Sequence, residues 1–178
     1  WITDIECIYP TLTYPCHATI ATGCWPDRTG INNNEIPDFF AKGRMDWYWW
    51  REAIQVPTVV DFARQAGLTA STVTWPLMCA SGAEYNIGEI WAPREEDDPT
   101  PWFTRANSPA VAKIFEANKH MLRWMKTPQM DEFAAKCAAD IIRAHRPDLM
   151  LLHLSYVDHQ RHRLGVHGDL EHAFRFID

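Results

Sequence analysis

No stretch of the chain approaches the roughly 18 to 20 uninterrupted apolar residues of a membrane-spanning helix. The longest greasy run, Leu149 to Leu154, is broken by His153, and a membrane-spanning helix is excluded. Basic charge is scarce: 17 Lys and Arg stand against 23 Asp and Glu, for a formal charge of -6. That balance speaks against holding a nucleic acid duplex by general phosphate neutralisation, which needs clustered Lys and Arg. Small anionic substrates stay open to such a chain where a metal ion supplies local positive charge. Cysteine offers no framework. Cys7, Cys16, Cys24, Cys79 and Cys137 are odd in number and widely spaced, without a Cys-x-x-Cys pair. They argue against a disulfide scaffold or a cysteine zinc site and lean towards a reducing, cytoplasmic compartment. An initiator Met and a basic, apolar leader are missing at Trp1, and Asp178 falls inside a continuing helical pattern, so both ends read as cut. What is present, 178 residues with 47% hydrophobic and 22% charged, is the composition of a globular domain, or of a large piece of one.

The order of elements alternates strand and helix. A short β-compatible segment from Ile2 to Tyr9 leads to a helix over about Tyr14 to Thr22, with Pro15 suited to its first turn and Gly23 placed to stop it. Trp25 to Gly30 reads as a loop, Pro57 to Ala66 as a helix ended by Gly67, and Thr69 to Trp75 as a β-branched strand ended by Pro76. Residues 76–109, rich in Pro, Gly, Trp and acids, lack strong periodicity and are expected to form an insertion or lid. Their run Arg94-Glu95-Glu96-Asp97-Asp98-Pro99 is expected to be a solvated face.

The strongest periodic signal is Met130, Phe133, Ala134, Cys137, Ala138, Ile141 and Ile142, one apolar face of a long helix ended by Pro147. The near-continuous apolar run Leu149 to Val157 then predicts a strand buried on both faces of a parallel sheet. The fold class is α/β. Asp158, His159, Gln160, Arg161, His162 and Arg163 follow at the strand's carboxyl end, where open α/β sheets place their ligands.

Two constellations carry chemistry. Asp158 and His162, four residues apart, bring a carboxylate and an imidazole to one helical face, a pairing fit for zinc or a similar divalent ion. The alternative is a set of exposed or hydrogen-bonded histidines, since His153, His159, His167 and His172 crowd the same end. Thr13, before Tyr14 and Pro15, presents a hydroxyl at a helix N-terminus, where free N–H groups and the dipole attract anions. It reads either as a nucleophile or as a plain N-cap. Cys16, three residues on, reads as a buried helix thiol.

Together, the run Thr11 to Asn34 and the run Leu151 to Leu164 resemble the type I phosphodiesterase/nucleotide pyrophosphatase family of the alkaline phosphatase superfamily. The family's pattern is a threonine, an aromatic, Pro, usually Asn, then His, followed by Thr-Gly, a Pro, Gly-Ile and an Asn. This sequence keeps all of it except the first Asn, which is Cys16. Its second segment ends in the same Asp-x-x-x-His. The resemblance implies an alkaline-phosphatase-like α/β/α sandwich with a mostly parallel central sheet, truncated at both ends, with 1–178 a partial catalytic domain. It implies a hydrolase of phosphate diesters or nucleotide pyrophosphates acting on a small phosphate ester or nucleotide through two divalent ions, most often zinc. Thr13 would be the nucleophile and a ligand of one zinc, with Asp158 and His162 on the other. Asn34 would help hold a non-bridging phosphate oxygen, and Tyr14 would stack on a base or leaving group or else pack over the helix start. The family's first metal-binding aspartate would lie before Trp1, and its later Asp-His pair and final His beyond Asp178. Two further readings stay open: a phosphomonoesterase or phosphonate hydrolase of the same superfamily, and a non-catalytic fragment lacking the remaining ligands.

Overall fold

The computed structural model describes residues 6–36, 46–90, 98, 100–122 and 127–178. In chain order come α1 (Thr13–Thr22), α2 (Pro26–Thr29), the antiparallel pair β1 (Glu35–Ile36) and β2 (Asp46–Trp47), α3 (Val59–Gln65), β3 (Ala70–Val73) and β4 (Tyr85–Ile87). There follow α4 (Thr100–Ala106), α5 (Ala112–Asn118), α6 (Gln129–His145), β5 (Leu149–Leu152), α7 (Tyr156–Leu164) and α8 (Glu171–Ile177). Among the described residues no helix is long and apolar enough to cross a membrane.

β3 lies between β4 and β5, and both pairings are parallel, with Ser71 opposite Tyr85 and Ala70 opposite Leu149. All four residues of β3 are buried, as a middle strand requires. Side chains alternate across a strand, and β5 shows the consequence. Leu149 and Leu151 pack with Val60 of α3 and Ala70, whereas Met150 and Leu152 pack against the larger core that holds Phe133, Cys137 and Ile141 of α6. The sheet therefore has helices on both faces, the α/β/α layering expected from the sequence.

Local chemistry sets the element ends. The Thr58 side chain accepts from the Asp61 N–H while the Asp61 carboxylate accepts from the Thr58 N–H, a capping box that starts α3. Gly23 ends α1 in the left-handed region at φ 67°, a conformation that costs a residue with a Cβ more than it costs glycine.

Four expectations differ from the structure. Trp25 to Gly30 is not all loop, because Pro26 opens the short α2 and Gly30 closes it. In α6, Ile141 is fully buried but Ile142 is half exposed. Twelve residues at 100° each place Ile142 about 120° from Met130, at the edge of the stripe. β5 stops at Leu152 and its residues are only partly buried, because among the described residues it pairs on one side alone. Residues 76–109, expected as an insertion or lid, supply β4, α4 and the wholly buried Leu77, Met78, Cys79, Ile87 and Phe103. A strand of three residues close to Gly82 and Gly88 is too short to show a period. Of the acidic run, residues 94–97 and 99 lie outside the described residues, and Asp98 is exposed.

Candidate active site

The three parallel strands end side by side, and the residues that leave them are polar. Thr74 follows β3, Glu89 lies just past β4 and His153 follows β5; these three share a cleft with Met130, Asp131 and Ser155. Thr74 holds φ at 49°, an unusual angle for a β-branched residue. Its N–H donates to Ile87 O at 2.8 Å and its hydroxyl to His153 O at 2.8 Å, which ties the ends of β4 and β5 together.

α1 delivers Thr13 to this end of the sheet. Thr13 is the first residue of the helix, and the N-cap is Leu12, which has no side-chain acceptor. The plain N-cap role weighed for Thr13 is thus not the one it has. The cap comes from Asn34, whose Oδ1 accepts from the Tyr14 N–H at 2.9 Å, at the second helical residue, which an N-cap oxygen ordinarily serves. Asn33 Oδ1 accepts from the Asn34 N–H at 2.8 Å and steadies that loop. With Oδ1 engaged on the helix, the Asn34 amide NH2 is the group left to donate. Pro15 has no N–H and Cys16 N–H is bonded to Leu12 O. Among the described residues, neither the Thr13 N–H nor its hydroxyl makes a hydrogen bond.

His17, one turn along α1, contacts Thr13 O through Nδ1 at 2.7 Å. A carbonyl only accepts, so Nδ1 carries the proton and Nε2 keeps its lone pair in the neutral ring. The ring meets His153 edge-on at 4.6 Å between centroids and Trp75 at 5.1 Å. Burial lowers its pKa, opposed by the Thr13 carbonyl and by the negative charge of Asp158. The ring contact with His153 brings α1, which carries Thr13, against the end of β5, the strand that leads into α7 and Asp158.

Asp158 and His162 lie on one face of α7, with Nε2 3.5 Å from Oδ2 and both side chains largely exposed. The helix bearing them is anchored by Asp131, a carboxylate buried in α6. Its Oδ1 accepts from Ser155 N–H at 2.9 Å and Ser155 Oγ–H at 3.1 Å, and its Oδ2 from Tyr156 N–H at 2.8 Å. These are start-of-helix donors that a local N-cap ordinarily satisfies, and Ser155 itself makes no side-chain cap. Asp131 directly follows Met130, and its only sequence signal is a carboxylate adjoining the apolar stripe. Among the described residues no group of three or more His, Cys, Asp or Glu could hold a metal ion.

The profile of the type I phosphodiesterase / nucleotide pyrophosphatase family matches residues 1–178. The chain belongs to this family. It is 27% identical to venom phosphodiesterase 2 of Crotalus adamanteus over 98% of its length, and 24% identical to ectonucleotide pyrophosphatase/phosphodiesterase family member 3 of Bos taurus over 96%. It spans only 18% and 17% of those relatives. Among solved structures, phosphonoacetate hydrolase from Sinorhizobium meliloti 1021 in complex with phosphonoacetate superposes with a TM-score of 0.55 at 20% identity, over 86% of this chain and 38% of that one. The likeness establishes a shared α/β fold.

Of the two roles open to Tyr14 in this phosphodiesterase-family chain, the structure favours packing, and the expectation for Cys16 changes. Tyr14 has its ring buried, with 1% exposure, edge-on to Trp47 and Trp49, and its hydroxyl donates to Glu89 Oε2 at 2.9 Å. Burial and the Glu89 carboxylate both push its pKa up. No ring face is open to stack on a substrate, and packing is its role. Cys16, expected as a buried thiol, is only half-buried and meets the exposed Cys7.

His153 gives the site a pH dependence. Burial, then the neighbouring His17, push its pKa down to about 4. The Glu89 carboxylate, 3.9 Å from Nδ1, is too distant for a hydrogen bond. The folded state therefore binds fewer protons than the unfolded chain, and the stability is present above about pH 6.5 and lost as pH falls towards 4, by about 3 kcal/mol. Urea unfolding between pH 7 and 4.5 measures this slope. His153→Asn should flatten it, and an unchanged slope would assign the effect to other groups.

Proposed function

We propose that this chain carries the nucleophile and part of the metal set of a hydrolase acting on phosphate diesters or nucleotide pyrophosphates, with Thr13 as the attacking residue. The observation that carries this reading is the meeting of the two sequence segments: His17, bonded to the Thr13 carbonyl, lies edge-on to His153 at the end of the strand that leads into Asp158 and His162.

Asp158 and His162 suit a zinc-like divalent ion as two of its donors, since a carboxylate oxygen and an imidazole nitrogen 3.5 Å apart need only small rotations to share one ion. When bound, such ions supply Lewis acidity and the positive charge that this acidic chain lacks. The protein's own groups do the rest. The first turn of α1 offers the Thr13 N–H and the positive end of the helix to the phosphate. The Asn34 amide donates to a non-bridging oxygen, where charge builds as phosphorus is attacked. The Thr13 hydroxyl gives up its proton to solvent as Oγ bonds phosphorus, the bond to the leaving oxygen breaks, and that oxygen takes up a proton from solvent and departs as the alcohol or nucleotide. Water then cleaves the threonyl ester and restores the hydroxyl.

Zinc binding and substrate choice test the proposal. Asp158→Ala should weaken zinc binding by about tenfold or more, whereas His159→Ala, exposed on the same helix, should change it little. Equal losses would remove Asp158 from the ligand set. The zinc-loaded protein should prefer bis-p-nitrophenyl phosphate to p-nitrophenyl phosphate. A preference for the monoester would replace the diesterase reading by a phosphomonoesterase one.

A further inference from the structure

The sulfurs of Cys7 and Cys16 lie 3.5 Å apart. Both are free thiols; Cys7 is exposed and Cys16 half-buried in the first turns of α1. Cys79 and Cys137 are fully buried, and Cys24 is half-buried past the far end of α1. We propose that Cys7 and Cys16 are a modification site at which a peroxide-class oxidant closes an intramolecular disulfide around the turn that presents Thr13.

The geometry favours this pair. A disulfide needs its sulfurs at about 2.0 Å, and among the described residues those from 6 to 12 form no helix or strand that would hold Cys7 back. The ring so closed, residues 7–16, contains Thr13, whose turn is otherwise fixed by Leu12 N–H on Pro10 O at 2.9 Å and Cys16 N–H on Leu12 O at 3.0 Å.

The order of events follows from exposure. Burial, then the Cys7 sulfur, push the Cys16 thiol up to about 11, so Cys16 is the slower thiol towards oxidant and Cys7 is the one that solvent delivers it to. Cys7 is oxidised by hydrogen peroxide to the sulfenic acid, with release of one water. The Cys16 sulfur then attacks the Cys7 sulfur, the S–O bond breaks, and a second water leaves with the Cys16 proton. Two thiols are oxidised, one peroxide is reduced to two waters, and a dithiol reductant reverses the bond. Closure of the bond is read on the sulfurs themselves and does not depend on the hydrolase reading.

The experiment is a thiol count on the full chain before and after hydrogen peroxide, with the products mapped by mass. The five thiols of the sequence should fall by two, the mass should drop by two hydrogens, and one cross-linked peptide should join Cys7 to Cys16. Cys16→Ser should instead gain oxygen at Cys7, and Cys7→Ser, altered only at an exposed position, should keep all its remaining thiols at the same dose. Retention of five thiols by the parent, a bond mapping to another pair, or a link between two chains would overturn the proposal.

Discussion

Thr13→Ala should abolish turnover of bis-p-nitrophenyl phosphate by the zinc-loaded protein, with a loss on the order of 10⁴-fold or more in kcat, the scale seen when a covalent nucleophile is removed. The prediction is sharp because Thr13 holds little of the fold. It is not the N-cap of α1, a duty that Asn34 discharges from across the chain. Among the described residues its hydroxyl has no hydrogen bond, and alanine is the best helix former for the position it leaves. The variant should unfold at the same urea concentration as the parent within error. Thr13→Ser, which keeps the hydroxyl, should retain most of the rate and still form a covalent phosphoryl intermediate on rapid quenching. Activity in Thr13→Ala above about a tenth of the parent's would leave Thr13 a binding residue at most and turn attention to a directly attacking water.

Asn34 responds differently and separates two roles. Its Oδ1 serves the fold, and its NH2 is free for the proposed oxyanion contact, so Asn34→Asp, which keeps the acceptor and loses the donor, would strike the chemistry while leaving the cap.

Much of this architecture could be read along the chain. The stripe from Met130 to Ile142 predicts the longest helix, and the apolar run after Pro147 predicts a strand whose carboxyl end bears the candidate site, because burial imposes period and composition on long elements. β4 was illegible for the opposite reason, being three residues long and set among Gly and Pro. Among the site residues, Thr13, Asn34, Asp158 and His162 could be nominated because they stand in motifs with fixed spacing. Tyr14 stands in the same motif, yet its environment depends on Trp47, Trp49 and Glu89, which meet it only through the tertiary fold. His153 and Asp131 likewise act through contacts between elements, and neither spacing nor residue type announces such contacts.

Asp131 is where this matters most, and its removal should damage both the fold and the proposed metal site. Asp131→Ala strips three hydrogen bonds from a carboxylate that is 3% exposed and leaves the N–H groups of Ser155 and Tyr156 without their acceptor at the start of α7. Bonds to a charged acceptor are worth about 1.5–3 kcal/mol each and are not additive within one network, so a loss of about 3 kcal/mol in urea unfolding is expected. The same cut frees the helix that holds Asp158 and His162 in place. Residues that orient metal ligands without touching the ion typically govern affinity by about 10- to 100-fold, and zinc titration of the still-folded Asp131→Ala protein should show a loss in that range. Asp131→Asn is the control: it can still accept from Ser155 through its carbonyl oxygen but meets the Tyr156 N–H with a donor of its own. It should lie between parent and Ala variant in both measurements, with stability and zinc affinity falling together. If stability drops while zinc affinity stays at the parent value, α7 holds its ligands without help from α6, and Asp131 is an ordinary structural cap.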